Sequence, residues 1–403
     1  MNQNRQNIIT QFIKWCESNQ KVLLISGFVL IALWFLRLNY INWDTGVISN
    51  GLHGIKHWLD TDRYTDGAES ILTGSPLHGR QIQFIGYILI IAFTKLLSLP
   101  IGSVVVIQIL VALLAAYALY DAARIISGSR LAGFVASALF LTNPFIVSWH
   151  MYILTESLYT SFVIFSFWSI IKLFNHKKLK NYIISILILL TTIFIRPNGW
   201  ILLPIFICIY IISFTVSKNI KIFSGLGIIV VFVLAMSGLS LFNKSIQITT
   251  PVKNLQEGIT VWGHPELNLV MPNEPNIDQT KWTGGLKYVV KHPWSTVKLG
   301  AIRAGYTLIH FRPFHSTKYK LRVLFWIIPA YLLTIITLMF SIKKPEIVVA
   351  LAIIIGHLFV VAVSYAEHDS RFDIYILPIF YLLAGIGLAI GIRHIKNRLL
   401  TSM

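Results

Sequence analysis

The sequence predicts an all-α polytopic membrane protein. Hydrophobic residues occupy 55% of the 403 positions and charged residues only 12%, whereas a soluble domain carries about 25% charged residues. Apolar runs of roughly 20 residues, the length of a helix that crosses a bilayer, recur along the chain. A soluble core cannot bury so many long apolar runs, so the composition excludes a large water-soluble protein.

The chain is strongly basic, with a formal net charge of +18. In a membrane protein, this charge indicates a cytoplasmic bias of Lys and Arg and attraction to anionic lipid head groups, not binding of nucleic acid. Of the two cysteines, Cys16 precedes the first apolar run and Cys208 lies inside a later one. A structural disulfide between them is therefore not expected.

The apolar runs predict ten spans with both ends of the chain in the cytoplasm. The first run follows Arg5, Lys14 and Lys21 without a small-residue cleavage site, which favours an uncleaved span with residue 1 inside. The predicted spans are 21–41, 103–122, 131–149, 157–173, 182–195, 200–215, 222–242, 323–342, 347–365 and 374–392.

A shorter apolar run at residues 84–97 decides the direction of every span after it. If this run lies along the outer surface, Arg124, Arg130 and the other basic clusters of the short loops all fall in the cytoplasm. If it crossed, all these clusters would lie outside, against the positive-inside rule. We therefore predict a juxtamembrane helix on the outer face.

This topology gathers the polar segments on the outer face and divides the chain into three parts. Residues 1–242 form an N-terminal transmembrane module that includes the first outer loop at 42–82. Residues 243–321 form a long outer loop, and residues 322–403 hold the C-terminal helices. Apolar residues recur at helical spacing among Lys and Arg at 287–306, which predicts an amphipathic helix in the membrane interface.

The densest acidic segment lies in the first outer loop. Four of the 16 acidic residues of the chain fall within ten positions there. They are Asp60, Asp62, Asp66 and Glu69, with Arg63 and Tyr64 between them.

An outward-facing transferase needs an activated donor held in the membrane, because nucleotide sugars and ATP are cytoplasmic. A polyprenyl-phosphate-linked sugar fits, since its phosphate is a competent leaving group. Such chemistry requires a carboxylate to deprotonate the acceptor hydroxyl and cations to hold the phosphate. The predicted outer face supplies Asp60, Asp62 and Glu156 as acids, and Arg63, Arg196 and Arg371 as cations.

Five short motifs occur in one order on this face. The first is Asp60-Thr61-Asp62-Arg63-Tyr64, followed by Ala68-Glu69 and Ile71-Leu72-x-Gly74. The other four are Gly86-Tyr87, Leu154-Thr155-Glu156, Ile195-Arg196-Pro197, and Arg371-Phe372 followed by Pro378.

Together these motifs resemble those of the GT-C glycosyltransferases, which include protein O-mannosyltransferases and lipid A aminoarabinose transferases. The resemblance covers residues 22–400 with a gap at 243–283, and it implies a GT-C-like helical bundle with outer-face juxtamembrane helices. It also implies that Asp60 is the catalytic carboxylate and that Arg371 holds the donor phosphate. The family's Pro-Pro motif is replaced here by residues 75–80, which leaves the acceptor class open.

Each candidate residue also has a structural interpretation. Asp60 and Asp62 suit a helix N-cap, and Glu156 suits the first turn of a helix. Arg196 can reach lipid head groups, and Arg371 can pair locally with neighbouring acids. Tyr152 and His150 are candidates for substrate binding or for the interfacial aromatic belt.

No histidine has the paired spacing of a zinc site. A divalent metal held by the acids of the first loop is left open, and no cofactor is predicted.

The sequence thus predicts an inverting glycosyltransferase of the GT-C type. Asp60 is its base, its donor is a polyprenyl-phosphate sugar, and its acceptor is a lipid, glycan or protein hydroxyl. A multi-pass protein of the plasma membrane, as in a bacterial inner membrane, is expected, with its site facing outside. The alternatives are a transporter or flippase of lipid-linked saccharide, and a polymerase or ligase of surface polysaccharide that uses a diphosphate donor.

Overall fold

The computed structural model describes residues 20–45, 55–212, 249–278, 282–367, 369 and 371–401. Within these ranges the chain forms α-helices and short 3₁₀ turns, and its only extended pairings are two isolated bridges. The all-α class predicted from the composition is confirmed.

The helices are numbered here in chain order. They are α1 (Gln20–Thr45), α2 (Leu59–Thr73), α3 (Ile85–Leu96), α4 (Gly102–Ser127), α5 (Arg130–Thr142), α6 (Pro144–Val147), α7 (Glu156–Asn175), α8 (Leu179–Ile195), α9 (Leu202–Ile212), α10 (Thr249–Gln256), α11 (Trp282–Lys291), α12 (Pro293–Ile309), α13 (Thr317–Trp326), α14 (Ile328–Ser341), α15 (Pro345–Val363) and α16 (Leu377–Thr401). The 3₁₀ turns are Gly79–Phe84, Ser148–Met151, Pro197–Ile201, Pro265–Leu267 and Asp373–Tyr375.

The chain is a multi-pass membrane protein. Among the described residues, six helical stretches are long and apolar enough to cross a membrane, and α5 with the segment Pro144–Met151 forms a seventh candidate bent by 50°. Two further predicted spans coincide with shorter apolar helices, Leu179–Ile195 and Pro197–Ile209. The predicted span at 222–242 lies outside the described residues, so the number of ten crossings stays a prediction.

The short apolar run forms α3, which has 12 residues and is therefore only about 18 Å long. This is too short to cross a hydrocarbon core of about 30 Å, in agreement with the prediction. Gly86 in α3 lies against the end of α8, where an added Cβ would come within 2.9 Å of the Phe194 carbonyl carbon. The Gly86-Tyr87 motif therefore allows α3 to approach the backbone next to Arg196.

Helix α16 lies at the centre of the bundle and packs on α5 and α14. Two glycines permit this approach, because a Cβ on Gly385 would lie 2.3 Å from the Ala132 carbonyl oxygen and one on Gly387 would lie 1.9 Å from that of Leu333. Small residues at such contacts are typical of membrane helices. Helix α4 packs on α5 and α7, so the N-terminal ends of α7 and α16 are fixed within one bundle.

The amphipathic helix predicted at 287–306 is instead two helices, α11 and α12, that meet at His292. Pro293 disfavours a helical conformation in the residue before it, and His292 has φ −126° and ψ 58°. The apolar side chains of Val290, Trp294 and Val297 are 79%, 83% and 60% exposed. The apolar positions are therefore exposed in the structure, the pattern missed the break, and the placement in the membrane interface stays a prediction.

Candidate active site

Five charged side chains that the sequence singled out separately meet at one place in the fold. We call this group the arginine–carboxylate cluster. It consists of Asp60, Arg63, Glu156, Arg196 and Arg371.

Arg371 connects the two carboxylates of the cluster. Its Nη2 lies 2.9 Å from Asp60 Oδ2, and its Nε donates to Glu156 Oε1. Arg63 approaches the other oxygen of Asp60 at 2.9 Å, and Arg196 Nη1 lies 2.5 Å from Glu156 Oε1. Three guanidinium groups face two carboxylates, so the cluster has an excess positive charge that suits an anion.

Local pairing places Asp60 next to the start of α7. The Thr61 hydroxyl accepts a hydrogen bond from the Trp58 amide at 2.9 Å and donates one to the Ile153 carbonyl at 3.3 Å. Lys56 and Tyr152 form a parallel bridge just before these residues. Because Trp58 occupies the N-cap of α2, Asp60 and Asp62 lie in the first turn, and neither has the N-cap role.

Glu156 is the first residue of α7 and is fully buried. Both Arg196 and Arg371 bind its Oε1, and the Tyr375 hydroxyl donates to the same atom at 3.4 Å. A buried carboxylate must be paired, and here it holds two guanidinium groups side by side. Glu156 thus fixes the spacing of the two arginines.

Arg196 is positioned by the proline that follows it. Pro197 favours an extended conformation at the preceding residue, and Arg196 has φ −154° and ψ 134° where α8 ends. Its guanidinium lies over the rings of Phe372 and Tyr375, at 5.6 Å and 5.3 Å from their centroids. Its Nε has no hydrogen-bond partner within the described part of the chain, which leaves a donor available to a ligand.

The two buried arginines stay charged. Burial acts to lower the pKa of Arg196, but the Glu156 carboxylate together with Tyr375 and Tyr64 outweighs this effect and holds that pKa above its ordinary value. Burial opposes the charge of Arg371 in the same way, yet Glu156, Tyr375 and Asp60 raise its pKa well above the usual range. The cluster is therefore a permanently cationic site at neutral pH.

The cluster opens to solvent on the side of the first loop. The side chains of Asp60 and Arg63 are 24% and 30% exposed, whereas that of Arg196 is only 8% exposed. Asp60 is therefore the carboxylate of the cluster that an incoming molecule can reach.

Tyr64 lies between the rings of Phe84 and Tyr87 and is fully buried. Burial, together with the nearby Glu156 carboxylate, raises the pKa of its hydroxyl well above the ordinary value. This hydroxyl has no hydrogen-bond partner among the residues that the structure describes. It is a second donor that the folded chain leaves unused.

The other predicted site residues lie at the edge of the cluster or outside it. Asp62 is exposed and forms no ion pair within the described ranges. Tyr152 packs against Trp58 and Trp149 at the rim, with Lys56 Nζ 4.9 Å above its ring. His150 is buried, shares a 2.5 Å hydrogen bond with Ser157 and packs edge-on against Phe35, so these contacts are outside the cluster.

Sequence reasoning did not assign three residues that the fold brings here. Tyr375 contacts Glu156 directly, and Lys56 is a half-buried cation at the rim whose pKa is lowered by burial. Burial and the neighbouring Asp369 carboxylate raise the pKa of Glu367 to about 7. The available signal for Glu367 is its place in the acidic segment around Arg371, where the sequence suggests only local pairing with that arginine.

A second group of buried charges lies next to the residues that flank Arg371. Arg312 donates to the Glu367 carbonyl at 3.2 Å and lies 3.5 Å from Asp373, while His310 lies 3.1 Å from the same carboxylate. The Val261–Ala366 bridge joins the long loop to the segment before Arg371. These contacts, which lie outside the arginine–carboxylate cluster, thus stabilise the residues on either side of Arg371.

Within the described residues, no three or more His, Cys, Asp or Glu side chains are grouped so that they could hold a metal ion.

Comparisons with known proteins agree with the motif resemblance. Residues 84–239 match the family model of dolichyl-phosphate-mannose-protein mannosyltransferase, and no curated protein sequence matches the chain. Among solved structures, the fold is similar to archaeal oligosaccharyltransferase AglB from Archaeoglobus fulgidus, in complex with an inhibitory peptide and a dolichol-phosphate, with a TM-score of 0.56 and 11% identity.

The similarity to AglB covers 96% of this chain and 52% of that protein, so the chain spans about half the length of the structure it matches. AglB is a GT-C enzyme. The predicted GT-C-like fold is therefore confirmed.

Proposed function

We propose that the chain is a membrane glycosyltransferase that moves a sugar from a polyprenyl-phosphate donor to an acceptor hydroxyl on a lipid, glycan or protein. The observation that carries this proposal is the meeting of a reachable carboxylate, Asp60, with the buried guanidinium groups of Arg196 and Arg371. The family match over residues 84–239 supports the same donor class.

Asp60 acts as the general base in this proposal. It takes the proton of the acceptor hydroxyl while the acceptor oxygen forms a bond to the anomeric carbon. The bond from that carbon to the phosphate oxygen breaks, and its electron pair leaves with the polyprenyl phosphate. Attack from the face opposite the leaving group inverts the anomeric centre.

The arginines stabilise the departing phosphate. Arg371 binds Asp60 in the unliganded chain, and a bound phosphate competes for the same guanidinium. Donor binding would therefore weaken the Arg371–Asp60 ion pair and make the carboxylate a better base. Arg196 Nε and the Tyr64 hydroxyl, which have no partner in the described part of the chain, supply further hydrogen bonds to the donor.

Glu156 has a positioning role in this mechanism. Because it is fully buried and held by two arginines, it fixes those arginines and does not meet the acceptor. Asp62 is exposed on the first turn of α2 and is the alternative base. The site faces the outer side of the plasma membrane in this proposal, since the basic short loops are then cytoplasmic.

The test compares Asp60→Asn with a matched control, Asp66→Asn, which changes an exposed acid on the same helix. Reconstituted protein receives radiolabelled polyprenyl-monophosphate and polyprenyl-diphosphate sugars, and release of the lipid phosphate is measured. Loss of a general base lowers a reaction rate by about 10²- to 10⁴-fold. In Asp60→Asn, the rate of lipid phosphate release from the monophosphate donor should therefore decrease by that factor. In Asp66→Asn, this rate should be unchanged.

Three other outcomes would contradict the proposal. Full activity of Asp60→Asn with loss in Asp62→Asn would make Asp62 the base. Turnover of the diphosphate donor alone would favour a polymerase or ligase. Movement of lipid-linked sugar across the membrane without release of lipid phosphate would favour a flippase.

A further inference from the structure

A cleft of about 330 Å³ lies between α1 and α4, and we call it the α1–α4 cleft. Helix α1 packs mainly on α5, where an added Cβ on Gly27 would come within 2.9 Å of the Phe134 ring. It contacts α4 only lightly. The outer position of α1 thus leaves a space along its side that is open towards lipid.

The cleft lies at the end of the bundle opposite the arginine–carboxylate cluster. Gln108 in α4 binds the carbonyls of His150 and Tyr152 next to the cluster, whereas Asp121, which lines the cleft, is about 20 Å further along α4. Along α7, Lys172 contacts Asp121 about 24 Å from Glu156. The charged end of the cleft is therefore separate from the cluster.

Cations surround one end of the cleft. Lys21, Arg124 and Arg130 line it, and Asp121 is the only acid among the described residues that line it. Asp121 is already bound by Arg124 at 2.7 Å and by Lys172 at 2.5 Å. Lys21 and Arg130 have no carboxylate partner in the described ranges. This end of the cleft therefore has positive charge that the described residues do not neutralise.

The other end of the cleft is apolar and exposed. Ile25 and Val29 on α1 are 55% and 50% exposed, and Tyr117 on α4 is 59% exposed. Val29 lies about 12 Å from Lys21 along α1, and Tyr117 about 10 Å from Arg124 along α4. Both walls thus change from cationic to apolar in the same direction, as the two parts of a phospholipid do.

We propose that the α1–α4 cleft binds one anionic glycerophospholipid, with its phosphate at Lys21 and Arg130 and an acyl chain along Ile25, Val29 and Tyr117. Basic pockets between membrane helices are suited to acidic lipid head groups. The bound lipid fills the space between the peripheral helix and the bundle and so fastens α1 to α4. This site is independent of the proposed transferase chemistry at the other end.

The test uses the full chain in nanodiscs that contain phosphatidylcholine with a minority of phosphatidylglycerol. Lipid that stays bound after mild detergent release is identified by native mass spectrometry. Each interfacial cation favours an anionic lipid by roughly fivefold, so Lys21→Gln with Arg130→Gln should lower phosphatidylglycerol retention by about thirtyfold. Val29→Trp should also remove it, because the indole fills the apolar end while leaving every charge in place.

The matched control is Lys177→Gln with Lys178→Gln, which removes two exposed cations between α7 and α8 at the same end of the bundle, outside the cleft. This variant should retain phosphatidylglycerol as the unchanged protein does. Equal loss in the control, or equal retention in the cleft variants, would overturn the proposal. Added polyprenyl phosphate that displaces phosphatidylglycerol and is retained in its place would overturn the assignment to a glycerophospholipid.

Discussion

Arg371 Nη2 and Asp60 Oδ2 lie 2.9 Å apart although their residues are separated by 311 positions in the chain. Asp60 lies in the first turn of α2, and Arg371 lies just before α16. The contact therefore joins an N-terminal and a C-terminal segment of the chain at one site. It also places the proposed base directly beside a group proposed to hold the leaving phosphate.

Replacing Arg371 should strongly lower the kcat of sugar transfer while leaving the bundle folded. Arg371→Gln removes the charge that faces the developing phosphate anion, and loss of such a group costs about 10²- to 10³-fold in kcat. The kcat of Arg371→Lys should lie between those of Arg371→Gln and the unchanged protein. Lysine keeps the positive charge, but its ammonium group cannot bind Asp60 and Glu156 with two separate nitrogen atoms. Release of lipid phosphate from a labelled donor measures the effect.

The control for this experiment is Arg80→Gln, which removes an exposed cation from the 3₁₀ turn at the end of the first outer loop. It should keep normal kcat. An Arg371→Gln protein with unchanged turnover would show that the arginine has no part in the reaction.

Glu156→Gln should mainly destabilise the protein. The change leaves Arg196 and Arg371 buried beside a neutral amide, and an unpaired buried charge costs about 3–5 kcal/mol. The double variant Glu156→Gln with Arg196→Gln should recover part of that loss, because coupled residues are not additive. Thermal unfolding of the purified protein measures both effects.

Glu266→Gln is the control, since its carboxylate is exposed and should contribute little to stability. A Glu156→Gln protein that keeps both its full stability and its normal kcat would contradict the positioning role.

Donor binding should weaken above about pH 7 because of Glu367. Its pKa of about 7 means that it gains a negative charge near Arg371 and Arg196 as the pH rises, and this charge competes with the donor phosphate. A competing charge at a few ångströms is worth about 1 kcal/mol even in water, so the donor KM should rise roughly fivefold between pH 6 and 8. Glu367→Gln should remove this rise, whereas Glu257→Gln, at an exposed position, should keep it.

The same group should make stability depend on pH. The folded pKa of about 7 lies above the ordinary value of 4.5, so the folded state binds more protons between these values. Stability should therefore decrease as the pH rises from about 4.5 to 7 and then level off. Thermal melts of Glu367→Gln should lack this decrease, and a melt series identical to that of the unchanged protein would refute the assignment.

The orientation of the chain in the membrane is testable by cysteine labelling. With Cys16 and Cys208 replaced by serine, Asp66→Cys reports on the first loop and Lys177→Cys on the opposite end of the bundle. An impermeant maleimide added to intact cells should label Asp66→Cys and should reach Lys177→Cys only after permeabilisation. The reverse pattern would place the cluster on the cytoplasmic side.

Much of the fold followed from the sequence because membrane spans depend on local properties. Length and apolarity identify helices such as α4 and α15 without any knowledge of their neighbours. The break between α11 and α12 was missed because periodicity averaged over the segment hid the local effect of Pro293.

The candidate site was predicted only as a set of residues. The motifs named Asp60, Glu156, Arg196 and Arg371 one by one, and the fold brought all four into contact. They could not reveal that Glu156 is fully buried whereas Asp60 remains partly exposed. Nor could they show that burial and the neighbouring Asp369 raise the pKa of Glu367.

The sequence by itself determined that this chain is a helical membrane protein and which charged residues are exceptional in it, because the apolar composition makes every acid and arginine stand out. The tertiary structure alone decided which of those charges share a site, which of them is reachable, and where the cations of the α1–α4 cleft lie. The physical reason is that electrostatic interactions depend on distance and burial in three dimensions, and neither quantity is encoded in the spacing of residues along the chain.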